Sequence, residues 1–282
     1  MATAKQQKPN YQNNPFFVAT DGLTLLFKKA MPVAILAIVL ACLSLFGNMA
    51  QTAVDISTGA NSPSDERMMD DKASEQTVNN FFESISREEV AVFVGVGLIV
   101  LLVLIFVSTL IAGVFDYTAA QLAKGKTVTL QEALKGVLRR FFGYLWLNIL
   151  IGIKVFLWSL LLIVPGIIMA VRYSLSGAAF FEKGLGANAA TKHSSRLVKG
   201  AWLTTFSSFA LFNIVTLGML QAILQPGTVA VLYRQLNAFD AAKAKKPAAH
   251  VLSWLTLLIP LGLLVLLLLV GGLVAYVSYI RS

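Results

Sequence analysis

The chain has 282 residues, 57% of them apolar and 13% charged, with a formal charge of +9. A water-soluble domain is about 45–50% apolar and about 25% charged, so most of this chain does not face water. A single cysteine, Cys42, excludes an internal disulfide and a cysteine-built metal site, and reads as a small buried hydrophobe.

The charge is segregated. Residues 51–90 hold nine acids and three bases, the remainder twenty bases and five acids. Acidic and basic blocks set between apolar runs mark membrane topology and not a nucleic-acid surface. Residues 1–16 are polar and read as a disordered cytoplasmic tail. Residues 17–29 predict a short interfacial helix. Phe17, Leu23, Leu26 and Phe27 share one broad side, with Asp21 early and Lys28 and Lys29 at the end, as the helix dipole favours. Residues 31–49 carry no charge and suit a first span, with Pro32 in its first turn. Residues 51–90 form the acidic loop. Phe81, Phe82 and Ile85 within it predict a helix over 74–90. Residues 91–115 are a second span.

The basic block 117–142 predicts another interfacial helix. Thr129 and Glu132 fit a capping box, and Leu130, Leu134, Val137, Leu138 and Phe141 form its apolar face. Residues 144–182 run 39 positions with only Lys154, Arg172 and Glu182 charged. As one helix they would be about 58 Å long, nearly twice the hydrocarbon core. Pro165-Gly166 near the middle predicts a hairpin of two spans, 144–164 and 167–182. A third basic interfacial helix is expected at 187–199. Residues 201–233 are uncharged and again too long for one span, with a turn near Leu217 to Met219 and a kink at Pro226-Gly227. Residues 238–249 are a basic linker, and residues 250–282 an additional C-terminal transmembrane helix.

Lys and Arg accumulate on the cytoplasmic side of short loops. Placing every basic block inside and the loop 51–90 outside requires both long apolar runs to be hairpins, which is also what their lengths require. The expected fold is an all-α, polytopic transmembrane bundle with a cytoplasmic N terminus. It has about seven spans, or six if residues 251–279 lie partly in the interface. The membrane domain covers residues 17–237. An amphipathic basic helix precedes a pair of spans three times, beginning at DGLTLLFKKAMPVAI, TLQEALKGVLRRFFGYLWL and GANAATKHSSRLVKGAWLTTF. That pattern suggests duplication of a helix-plus-hairpin unit.

Charges within an apolar layer are costly and face a bundle interior or a water cavity. The candidate intramembrane residues are therefore Lys154, Arg172 and Glu182, with Asn148, Pro165 and Gly166 beside them. Lys154 reads either as an ion, proton or lipid-phosphate site, or as a cation satisfied by carbonyls, Asn148, a partner chain or snorkelling. Arg172 reads as reaching outer headgroups or carbonyls freed by the proline. His193 and Ser194 are adjacent on a helix and point apart, no G-x-S-x-G elbow exists, and H-E-x-x-H, P-loop and dinucleotide motifs are missing. No catalytic residue, metal site or cofactor is expected.

The stretch WSLLLIVPGIIMAVRYSLSGAAFFEKGLGANAATKHSSRLVKGAW resembles the bacterial YciC-type inner-membrane proteins. It is similar too to the membrane domain that some glycerophosphodiester phosphodiesterases carry ahead of their catalytic barrel. The matching residues are Val164, Pro165, Gly166, Ile167, Arg172, Glu182, Gly184, Ala190, Ser194, Lys199, Gly200 and Trp202, and V-L-Y-R-Q-L at 231–236 looks like the family's closing segment. Val164 in place of the usual Ile, the acidic loop and the last apolar run depart from the pattern. The catalytic barrel is absent, so its activity does not carry over. The resemblance implies a multi-pass protein of the bacterial inner membrane. The expected function is a non-enzymatic module that binds membrane lipids through anionic headgroups or scaffolds membrane partners, including a homo-oligomer. The alternative is a small-molecule or ion transporter or channel lined by Asn148, Lys154, Ser174, Ser176, Ser207, Ser208 and Asn213.

Overall fold

The computed structural model describes residues 11–57, 87–216, 218 and 220–281. Most of the acidic loop, with the greater part of the helix expected at 74–90, and residues 1–10 of the tail lie outside them. The described residues are all-α, in chain order α1 (Pro15–Lys29), α2 (Met31–Ser57), α3 (Arg87–Ala123), α4 (Leu130–Leu138), α5 (Phe141–Leu161), α6 (Ile163–Tyr173), α7 (Ser176–Lys183), α8 (Ala187–Val198), α9 (Trp202–Val215), α10 (Gln221–Ala241) and α11 (Val251–Arg281).

Among the described residues three stretches are long and apolar enough to cross a membrane: Val92–Ala123, Phe141–Leu161 and Ile163–Lys183. A fourth arises if Pro15–Lys29 and Met31–Ser44, bent by 118°, count as one span. Trp202–Val215 and Val265–Ile280 are apolar but shorter. Length and composition thus account for three or four of the seven expected spans.

The chain divides into two compact units, Met1–Ala41 with Ala112–Ser282, and Cys42–Ile111. In the second unit Val92, Phe93, Ile99, Leu102 and Leu104 are all more than 60% exposed. Helices apolar all round belong in a core or in lipid. Cys42, expected to be buried, is exposed as well.

In the first unit α1 departs from expectation. It begins two residues early, at Pro15, with Asn14 accepting from the Phe16 N–H at 3.0 Å. One side of it is packed within the unit, while Phe16 and Phe17 on another side stay exposed. Val18, Ala19 and Leu26 are fully buried, and the helix lies against α10 and α9. The contact with α10 is backbone on backbone. A Cβ added to Gly227 would sit 2.1 Å from the Gly22 carbonyl oxygen, so only glycine fits on either side. Small residues that let backbones approach are the usual device for packing helices where lipid removes the hydrophobic drive. In α4, Thr129 and Glu132 form the expected capping box, while Leu134 and Leu138 remain 39% and 49% exposed. That exposed apolar stripe continues into Phe142 and Trp146 at the start of α5.

The three helix-plus-hairpin starts share one junction. Although the third connection also takes Lys199 and Gly200 out of the helix, each following helix is entered through a residue of the same non-helical backbone, Ala30 (φ −144°, ψ 44°), Arg140 (φ −126°, ψ 22°) and Ala201 (φ −132°, ψ 21°). Each of these carbonyls then accepts the first bond of the next helix, from Ala34, Tyr144 and Thr205, all at 3.0 Å. The same positions are buried beyond each junction, Ala34, Tyr144 and Thr205 four residues on, and Ala37, Leu147 and Ser208 seven residues on. Spacings of four and seven trace one helix face, so the repeat in the sequence is matched by a repeat in geometry.

The α5–α6 pair breaks at Leu162, which is extended (φ −165°, ψ 147°). The break falls three residues before Pro165, which instead occupies the first turn of α6, where its missing N–H costs nothing. Gly166 lies tight against α5, since a Cβ there would meet the Ser159 hydroxyl at 2.0 Å. Between α9 and α10 the turn falls where expected, with Gly218 at φ +81° donating to the Asn213 carbonyl at 2.8 Å. α10 keeps Pro226 in its interior and runs on to Ala241, into the segment expected as linker from 238.

Candidate functional site

Lys154 lies 13 residues beyond the start of α5, about 20 Å along its axis at 1.5 Å per residue. Its ammonium donates to Asn188 Oδ1 at 3.0 Å and Thr191 Oγ1 at 2.9 Å, and stands 5.6 Å from the Tyr173 ring centroid. Both oxygens belong to α8. Asn188, Thr191, Lys192, Ser195 and Lys199 recur along α8 at steps of three and four, which places them on one stripe. The other side of that helix is fully buried through Ala190, Ser194, Leu197 and Val198.

Between this stripe and α5–α6 lies a cleft of about 300 Å³, lined by Lys154, Tyr173, Thr191, Lys192, Ser195, Arg196 and Lys199. It carries four cations. One is neutralised, because Arg196 pairs with Asp240 at 3.1 Å. Lys154, Lys192 and Lys199 form no ion pair with any described carboxylate. The Lys246 ammonium from the 242–250 linker crosses the end of α8 and donates to the carbonyls of Leu197, Lys199 (2.6 Å) and Arg196 (3.5 Å). A cation there complements the helix dipole.

His193 sits behind the stripe, 6% exposed. A guanidinium can only donate, so the 2.9 Å contact from Arg196 Nη2 makes His193 Nδ1 the acceptor. The ring proton is then on Nε2, which is buried without a partner among the described residues. Burial, followed by the charges of Lys183 and Arg196, pushes the His193 pKa down against the opposing pull of Asp240 and Glu182.

The other candidates have separate surroundings. Glu182 accepts from the Tyr233 hydroxyl at 3.0 Å and lies 3.8 Å from Lys124, tying the ends of α3 and α7 to α10. Asn148 donates to the Tyr144 carbonyl of its own helix at 3.0 Å; the oxygens on Lys154 come from Asn188 and Thr191. Arg172 Nη1 is 3.9 Å from Met169 Sδ, and its Nε is buried without a partner among the described residues. The backbone at Arg172 is what the fold uses. Ser194 Oγ donates to the Arg172 carbonyl at 2.7 Å and accepts from the Leu175 N–H at 3.1 Å, bridging the break between α6 and α7. Trp202 Nε1 donates to the Ile168 carbonyl at 3.2 Å. Arg172 and Ser194, both within the segment that carries the resemblance, thus meet at the α6–α7 break through main-chain groups, and Trp202 of the same segment bonds α6 one turn earlier.

Two structural side chains escaped the sequence analysis. Asp116 closes the apolar run of α3, accepts from the Tyr144 hydroxyl at 2.7 Å, and rests on Gly177, where a Cβ would meet it at 1.6 Å. An acid directly after 26 uncharged residues is a signal that could have found it. Arg140 donates to the carbonyls of Phe180, Gly184 and Leu185 at 2.8, 3.2 and 2.9 Å and lies 4.1 Å over the Phe180 ring. Among the described residues no group of three or more His, Cys, Asp or Glu could hold a metal ion. Comparison with family models, curated proteins and solved structures finds no match to this chain.

Proposed function

We propose that this chain is an integral membrane module of the YciC type, without catalytic machinery, that binds anionic lipid headgroups and scaffolds membrane partners. Seven spans, a cytoplasmic N terminus and residence in the bacterial inner membrane complete the proposal. The observation that carries it is the cleft of α8, where four cations face one carboxylate beside a membrane-length helix. The breaks at Leu162 and at 216–220 support the two hairpins that the charge pattern requires. The resemblance itself rests on the residues between 158 and 202.

A transporter would need its polar groups on one path. Ser207 instead donates to Ser253 at 2.8 Å and Ser208 to the Thr204 carbonyl at 2.7 Å. Asn213 lines a cavity of about 10 Å³, room for one water. Lys154 belongs to the basic cleft and not to this cavity. These facts favour the lipid-binding module. Native mass spectrometry of the protein released from detergent tests it. Retention of anionic over zwitterionic phospholipid is expected; no lipid, or no headgroup preference, refutes it.

A further inference from the structure

The cleft of α8 has more definition than a basic surface. Lys154 is held by two hydrogen bonds and aimed across α8, while Lys192 and Lys199 are exposed and one helical face apart. Ser195 adds a hydroxyl to the lining, while the buried Thr191 hydroxyl accepts from Lys154 and donates to the Asn188 carbonyl at 3.0 Å. Asp240 is occupied by Arg196, which leaves three positive charges without a carboxylate partner among the described residues. The volume of about 300 Å³ matches the lower end of small-molecule sites. A carboxylate or a phosphodiester brings one negative charge. A phosphate monoester brings about 1.5 to 2, with three strong acceptor oxygens.

We propose that this cleft binds a phosphate-monoester group, with Lys154, Lys192 and Lys199 as its cationic partners and Ser195 as its hydroxyl partner. This assignment rests on the lipid-binding reading and narrows it to one headgroup chemistry. The lipid is the source the structure favours. Ile149, Ile153 and Leu157 of the same α5 that supplies Lys154 are 43%, 49% and 56% exposed, so acyl chains have an apolar surface beside the cleft. A phosphatidate-like lipid would place its terminal phosphate on the cations and its chains on α5.

The test is titration of the full chain in detergent, followed by native mass spectrometry, with phosphatidic acid, phosphatidylglycerol, phosphatidylcholine and inorganic phosphate. Phosphatidic acid should bind more tightly than phosphatidylglycerol, and phosphatidylcholine should bind weakest. Each exposed lysine near an anionic headgroup contributes about fivefold, so Lys192→Gln with Lys199→Gln should weaken phosphatidic acid about 30-fold. Both side chains are exposed, so the double variant should fold. Lys126→Gln with Lys135→Gln, outside the cleft, should leave binding unchanged. Equal binding of phosphatidic acid and phosphatidylglycerol, or equal loss from both double variants, overturns the site while leaving an anionic-lipid module intact. No preference of any anionic lipid over phosphatidylcholine overturns both. Inorganic phosphate binding as tightly as phosphatidic acid, and lost in the cleft variant, keeps the phosphate chemistry and overturns the lipid source.

Discussion

Gly227→Ala probes the least expected feature of the fold, the seating of α1 in the bundle. The new methyl would lie 2.1 Å from the Gly22 oxygen and 2.8 Å from the Gly22 Cα. Both obstacles are backbone, so no rotamer clears them and the helices must separate by about an ångström. A gap of that size forfeits roughly a quarter to a half of each dispersion contact it opens, and Val18, Ala19 and Leu26 lose their fully buried setting. Overpacking of this kind costs about 1–3 kcal/mol, sometimes more. Near the upper value, a fall in Tm of about 6–12 °C follows from roughly 2–4 °C per kcal/mol. Gly272→Ala on α11 is the control, because a Cβ there meets nothing within 4 Å, and alanine improves helix propensity by about 1 kcal/mol. Thermal unfolding in detergent, followed by far-UV circular dichroism, reads both. If Gly227→Ala melts with the wild type, α1 does not pack on α10.

Other perturbations act on separate parts of the first unit. His193 takes its proton at lower pH in the folded chain than at the unfolded value of about 6.5. Its stabilising contribution is therefore complete above about pH 6.5 and lost as pH falls through the folded pKa; the Tm of His193→Gln should vary less than wild type between about pH 7.5 and 5.5. Tyr144→Phe strips Asp116 of its 2.7 Å donor and should cost about 1–3 kcal/mol or more for leaving a buried acceptor unpaired. A double cycle with Asp116→Asn should show strong coupling, whereas additive losses would mean that the pair is not formed. In a Cys42→Ala background, a cysteine replacing Pro165 should react with an impermeant maleimide from outside the cell; protection there would argue against the hairpin topology.

Much of this was legible because apolar periodicity, length and capping chemistry are local. The breaks near 162 and 216–220 follow from runs too long for one membrane crossing, and the Thr129–Glu132 box from residues three apart. The repeat was visible as three basic helices before apolar runs, and the structure repeats one backbone conformation at the entry residues Ala30, Arg140 and Ala201. What failed was the question of which neighbour covers an apolar face. α1 has the same pattern whether its stripe meets lipid or α10, and only Gly22 and Gly227, distant in sequence, decide between them. Lys154 was recognisable as a costly charge. Its partners Asn188 and Thr191 lie on α8, so the cleft they close was invisible from α5 alone. Arg172 and Ser194 stood out as motif positions, yet Ser194 bonds the Arg172 carbonyl, a role that residue identity at 172 does not encode.

The account turns on lipid, not water, covering the exposed apolar side chains. Phe156 and Leu160 on α5 are 63% and 67% exposed, and a nitroxide placed at either position in Cys42→Ala protein reconstituted into bilayers reports its surroundings. Collisions with dissolved oxygen should dominate over those with a water-soluble nickel chelate at both positions. Chelate-dominated relaxation there would put α5 in water and contradict the membrane module outright.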